Sequence, residues 1–322
     1  MPSSSAFALL LALCICLTVS PLHAQPFNPT SMPPMPSAPV PYNQYGYTPL
    51  LSVGIVGIAL FGLSGLVHTA QMFHYRVWWM SLMIAGCLTE VIGYIGRVFS
   101  HFDPYSLNPF LAQITTLIIA PAFFSAALYV VLMRMAQIVG KQYSPIPPVL
   151  YIVIFSTADV ISLVIQAIGG GMASQGQIQK DASLANRGTR VMVGGICWQM
   201  LTMVIFVTLA IIFIFKLKIA KVELPRKLQW FGFGMILVTV CIFIRCVYRT
   251  IELLEGWTGY IITHEVFFIC FELVPMALCV WTFNVFHPGI YLPEIETVAA
   301  PIDDSKPVEQ EVSTVQIEAE VV

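Results

Sequence analysis

A soluble domain carries about a quarter charged residues. This chain of 322 residues carries 10%, against 57% hydrophobic, and its mean hydropathy of +0.82 excludes that class. A formal net charge of −2 supplies no basic surface, so no nucleic-acid partner is implied.

The first 24 residues read as a signal peptide. The apolar stretch Phe7 to Val19 is too short to span a bilayer, and it ends in Ser20, Pro21 and a Leu22-His23-Ala24 step that fits cleavage before Gln25. A retained, shallow anchor is the alternative, because no Lys or Arg precedes the apolar core. Residues 25–48 form a Pro-rich segment without an apolar face, expected to be extracellular and disordered. Its near-sequon, Asn28-Pro29-Thr30, is blocked by the central proline.

A hydrocarbon core of about 30 Å requires roughly 20 apolar residues per helix. Seven such runs follow, near Pro49 to Gln71, Val77 to Phe99, Asn108 to Arg134, Pro147 to Gly170, Arg190 to Phe215, Gln229 to Ile251 and Ile262 to Phe286. The fold class is an all-α membrane protein with a seven-span domain over residues 49–287. With the N-terminus outside, eight basic residues fall in the inner loops: Arg76, Arg134, Lys141, Lys216, Lys218, Lys221, Arg226 and Lys227. The outer loops then hold three, Lys180, Arg187 and Arg190, which predicts a cytoplasmic C-terminus. Residues 288–322, with eight acids and one Lys306 after His287, are expected to be a disordered cytoplasmic tail. The eight cysteines lie in the signal or within spans, as packing residues without a disulfide framework.

An ionisable residue inside a span is costly unless paired or hydrated, so each is a candidate functional residue. In the second span Glu90, Tyr94 and Arg97 share one helical face. Glu90 and Arg97 are two turns apart and cannot pair directly; pairing of both with other helices, simply to fix the bundle, is the structural alternative. The fourth span carries Asp159, Ser162 and Gln166 on one face, then Gly169-Gly170-Gly171. That run allows close approach of another backbone, local unwinding or a flexible helix end.

The sixth span ends in Arg245, Tyr248, Arg249 and Glu252, whose two arginines need acids or an anionic head group nearby. An interfacial Arg249–Glu252 pair with snorkelling side chains is the alternative there. The seventh span offers His264, Glu265 and Glu272. Pro121 and Pro275 predict kinks in the third and seventh spans.

The ordered set of motifs resembles the fungal lipid-translocating exporter family, seven-span proteins that include aminocholesterol-resistance proteins, sphingoid long-chain base translocators and a protoporphyrin uptake protein. The resemblance runs from Tyr45 to Gly289 and begins with Tyr45-Gly46-Tyr47-Thr48-Pro49, then His68 and Gln71. It continues through Glu90-Val91-Ile92-Gly93-Tyr94-Ile95-Gly96-Arg97, Pro121-Ala122-Phe123 with Ala126 and Tyr129, Asp159 with Gln166 and the glycine run, and Gly195 with Gln199. It closes on Arg245-Cys246-Val247-Tyr248-Arg249-Thr250-Ile251-Glu252, His264-Glu265, Pro275-Met276 and His287-Pro288-Gly289. Glu272 departs from the pattern, which has Asp there. The resemblance implies that the chain handles membrane lipids or amphipathic small molecules, contributes to their efflux or to resistance, and resides in the plasma membrane.

Three functions compete on the sequence alone. A translocator of lipid-like amphipaths such as sphingoid bases or sterol-like compounds is favoured by the resemblance and by four spans with polar stripes. A seven-span lipid sensor suits the same topology, although the third span ends in Met133-Arg134-Met135, the seventh has Asn284-Val285-Phe286-His287-Pro288 in place of Asn-Pro-x-x-Tyr, and no span contains a lysine for retinal. An intramembrane hydrolase would need converging metal ligands, whereas the spans supply only His68 and His264 without a His-x-x-x-His pair. No Gly-rich loop ending in Gly-Lys-Ser or Gly-Lys-Thr is present, so ATP hydrolysis by this chain is not expected. No catalytic residue, metal or cofactor is assigned. The excess of intramembrane acids over arginines, five to three, predicts a preference for a cationic ligand.

Overall fold

The computed structural model describes residues 43, 45–179, 181–256 and 259–292. The signal peptide, residues 25–42 of the Pro-rich segment and residues 293–322 of the tail lie outside the described residues. Among the described residues seven helices are long and apolar enough to cross a membrane. They are α1 (Leu51–Tyr75), α2 (Ser81–Phe102, entered through a 3₁₀ turn at Trp78–Met80), α3 (Leu107–Val139), α4 (Pro148–Gln179), α5 (Ala182–Ile219), α6 (Arg226–Glu255) and α7. Helix α7 starts as α-helix at Glu265–Phe268, widens to a π-helical turn at Ile269–Leu273, and resumes as α-helix at Val274–Val285. A short α8 (Pro288–Tyr291) follows.

Consecutive helices pack side by side, and α7 returns against α1 to close the ring. Polar stitches hold that closure: Asn284 Nδ2 donates to Ser64 Oγ at 2.6 Å, Gln71 Nε2 to the Asn284 carbonyl at 2.9 Å, and His68 Nε2 to the Val280 carbonyl at 3.2 Å. Helix α3 is enclosed by the others and also touches α6 and α7. Within its most apolar stretch 72% of residues are buried, against 28% for α5, so α3 is the axis of the bundle. Small residues and aromatic knobs permit this. Phe124 of α3 occupies the space over Gly86 of α2, where any Cβ would collide with its ring. The outer wall is apolar, with exposed Leu66, Ile92, Val164, Leu201 and Phe233, as lipid requires of a helical bundle.

Three expectations change. The segment between the fourth and fifth spans is not a long loop, because α4 runs on to Gln179 and α5 starts at Ala182, where the Asp181 side chain accepts from the Ser183 and Leu184 amides. The glycine run neither unwinds nor ends α4: Gly169 meets the backbone of Met192, Gly176 that of Ala185, and Gly188 that of Ala173. Small residues let the two backbones approach and gain dispersion contacts along their length. Cysteine burial is uneven, with Cys87, Cys241, Cys246 and Cys279 buried but Cys270 exposed.

Pro275 sits just past the π-helical turn. A proline in a regular α-helix lacks one hydrogen bond and presses its ring on the carbonyl four residues back; the wider turn relieves that contact. Pro121 lies buried inside α3, which continues through it.

Candidate functional site

The first polar cluster joins α2, α7 and the chain before α1. Arg97 forms a close ion pair with Glu265, donates to Tyr47 Oη at 3.1 Å, and lies 4.2 Å from the centre of the Phe268 ring. Glu265 also accepts from the Leu50 amide at 3.0 and 3.2 Å, which ties the start of α1 to the start of α7. Tyr45 is buried against Phe110, its hydroxyl 2.9 Å from Ser100 Oγ and 2.8 Å from Gln113 Oε1. Gly46, at φ +71°, supplies a left-handed turn between these tyrosines that an L side chain adopts reluctantly. Burial pushes the Tyr45 phenol up to about 12 and raises that of Tyr47, so both stay neutral. The reading of residues 25–48 as disordered therefore does not hold at its end: aromatic burial orders Tyr45 and Tyr47.

The second cluster lies wholly among helices. Glu272, held in the π-helical turn, accepts from Arg245 Nε at 3.2 Å and Nη2 at 3.0 Å with one oxygen, and from Arg249 Nε at 2.8 Å with the other. Arg245 Nη2 also donates to the Leu117 carbonyl of α3. Arg249 Nη1 reaches Glu252 at 2.9 Å, and Tyr248 Oη reaches the other Glu252 oxygen at 2.9 Å. Arg245, Arg249, Glu252 and Glu272 are each at most 5% exposed, which excludes the snorkelling alternative for Arg249 and Glu252. The two arginines tolerate each other because Glu272 lies between them and Glu252 takes a further donor, so charge within this group balances.

Pairing the arginines in this way leaves two acids. Asp159 has one partner, the Tyr129 hydroxyl at 3.0 Å. Glu90 is fully buried with both carboxyl oxygens unpartnered; the charges within its reach are Glu272, Arg245 and Arg249. One helical turn away the Tyr94 hydroxyl is also unpartnered, and its ring stacks on Phe61 with centroids 5.5 Å apart. Gln166 donates to Ser162 Oγ at 2.6 Å and to Gln199 Oε1 at 3.3 Å, and Ser162 donates to the Gly195 carbonyl at 2.7 Å. Gln166, Gln199, Arg245 and Arg249 wall a small void with room for about one water.

The structure thus brings Arg245, Arg249, Glu252 and Glu272 together, with Gln166 beside them across the void and Glu90 near them but unbonded. Arg97 and Glu265 form a separate pair, Tyr94 lies on the α2 face between these groups, and Asp159 sits apart against Tyr129. His264 belongs to neither group. It is exposed at the start of α7, its ring centre 4.0 Å from that of Tyr260 and tilted to it, and bonded to that residue's carbonyl, because its turn precedes the helix that carries the glutamates inward. Sequence reasoning missed Tyr45, Tyr47, Ser100 and Gln113 as site residues. The Tyr-Gly-Tyr run, with a turn-forming glycine between two aromatics, was the available signal.

Residues 83–295 match the family described as RTA1 like protein. The chain belongs to the RTA1-like family. Three yeast relatives of this RTA1-like protein, all from Saccharomyces cerevisiae, bear on its function. The sphingoid long-chain base transporter RSB1 is 31% identical over 280 residues, covering 76% of this chain and 73% of that protein. Protein RTA1 is 28% identical over 278 residues, covering 77% and 86%. Protoporphyrin uptake protein 1 is 29% identical over 204 residues, covering 62% and 65%. No solved structure matches. The RTA1-like chain is a multi-pass membrane protein related to a named lipid transporter.

Proposed function

We propose that this protein translocates lipid-like amphipaths across the plasma membrane, with a preference for a long-chain amine, and that it performs no catalysis. The observation that carries the reading is the pair of buried carboxyls, Glu90 and Asp159, left without a cationic partner once the arginines are paired. A carboxyl in hydrocarbon is costly to ionise unless a cation arrives. A single ammonium on an apolar chain meets that need while its chain stays among apolar side chains. The yeast relative named as a sphingoid long-chain base transporter supports the same ligand class.

Competition binding of a sphingoid base and its neutral N-acyl form tests the reading, with Asp159→Asn alongside. The amine binds more tightly to the unmodified protein, and the variant weakens that preference because it removes charge at constant size. Equal affinity of the two lipids for the unmodified protein refutes the preference. Flux of the amine in proteoliposomes separates translocation from lipid sensing: binding without flux favours the sensor. The excess of basic residues in the loops assigned to the inner side supports a cytoplasmic C-terminus, and a tag after Val322 that is accessible on intact cells refutes that orientation.

A further inference from the structure

Helix α4 presents two faces. One, through Ser162, Gln166, Gly169, Ala173 and Gly176, packs tightly on α5. The other, from Val160 through Val164, Gly170 and Gly171 to Gln177, faces α3 across a cleft of about 630 Å³ whose walls are predominantly apolar. Its α4 wall runs roughly 25 Å from Val160 to Gln177 and its α3 wall about 14 Å from Phe110 to Ile119 at 1.5 Å per residue, and its volume lies in the range of ligand pockets, about 300–1,000 Å³.

The glycines on the two faces are differently constrained. Gly169 cannot bear a side chain, because the α5 backbone lies against it. At Gly171 an added Cβ would meet nothing within 4 Å. A glycine inside a helix costs about 0.5–1 kcal/mol relative to alanine, and no protein contact demands it at position 171. What it provides is an open floor to the cleft. The cleft also borders the polar interior, since Gln166 and Ile118 line both it and the void beside Arg245 and Arg249.

We infer that the α3–α4 cleft binds the single hydrocarbon chain of the amphipath, with Gly170 and Gly171 keeping the groove open and Gln166 receiving the polar head at the edge of the arginine cluster. This rests on the function proposed above and adds the route by which the ligand reaches the polar residues. An elongated apolar cleft of about 630 Å³ accommodates one extended chain along α4. Gln166 is the polar side chain common to slot and void, so a head group enters hydrogen-bonding range there while the chain remains in the slot.

The test is photo-crosslinking with a long-chain sphingoid base bearing a diazirine in its chain, applied to the full-length protein in detergent or nanodiscs. In the unmodified protein, label maps to peptides spanning 110–119 and 160–177, and excess single-chain amine displaces it whereas phosphatidylcholine does not. Gly171→Phe puts a ring at the slot floor, where its Cβ meets nothing within 4 Å, and lowers labelling about tenfold or more. Gly194→Leu, at another exposed helical glycine with nothing within 4 Å and outside the cleft, leaves labelling unchanged. Label elsewhere in the unmodified protein, equal displacement by phosphatidylcholine, or full labelling of a folded Gly171→Phe protein overturns the inference while leaving the proposed function standing. Absence of any displaceable binding overturns both. The mapping requires no variant, so the inference stays refutable if Gly171→Phe fails to fold.

Discussion

Arg97 and the Arg245–Arg249 pair are both buried and both neutralised by glutamates of α7, yet they differ in what else holds them. Arg97 is enclosed by Tyr47, Phe268 and a carboxylate that also caps the backbone of α1. Its surroundings come from three chain segments, and Glu265 remains 10% exposed. Arg245 and Arg249 share one fully buried carboxylate and a carbonyl of the central helix. The first arrangement is a clasp at the end of the bundle, which water can enter when it loosens. The second is a junction of α3, α6 and α7 where nothing can substitute for a lost partner. The same residue types therefore carry different energetic weight according to access to solvent.

Removing the shared carboxylate sharpens that contrast most. Glu272→Gln leaves two buried guanidiniums short of an anion and lowers stability by about 3–5 kcal/mol, measured by thermal unfolding in detergent. Wild-type stability in that variant would show that α3 and Glu252 suffice to hold both arginines. Glu265→Gln has a smaller effect, about 1.5–3 kcal/mol for a hydrogen bond to a charged group, because Tyr47 and Phe268 still enclose Arg97. If its cost equalled that of Glu272→Gln, the distinction between clasp and junction would fail. Tyr45→Phe removes the hydroxyl shared by Ser100 and Gln113 and costs about 1 kcal/mol, with proteolysis between residues 43 and 50 increasing in parallel. Glu90→Gln has the smallest effect on stability, within about 0.5 kcal/mol, since an unpartnered acid loses no bond when it becomes an amide. A drop comparable to that of Glu272→Gln would place Glu90 inside the junction.

The seven spans were legible because hydrocarbon imposes a length and a composition that no other environment demands. The polar stripes were legible as stripes, and the excess of acids over arginines survives in the structure as Glu90 and Asp159. Partner choice was not legible. Helical spacing already denies Glu90 to Arg97, but only the ring closure decides that Glu265, and not another acid of α6 or α7, reaches it. Helix extent beyond Gly170 was hidden because Ser174, Gln175 and Gln177 are polar, and hydropathy tracks the bilayer while hydrogen bonding tracks the helix. Tyr45 escaped notice as a site residue because proline-rich composition marks a segment as unable to form its own core, which says nothing of docking on a core already built.

The π-helical turn at Ile269–Leu273 acts on phase. Each residue advances an α-helix by about 100°, and a π-helical bulge is an α-helix with a surplus residue accommodated locally. Glu265, before the turn, points to Arg97; Asn284, after it, points to Ser64. Deleting one residue from Ile269–Leu273 would make α7 regular and rotate one half against the other by about 100°. The shortened helix could keep its first half on α2 or its second half on α1, but not both, so the surplus residue lets one helix stay in register with two neighbours.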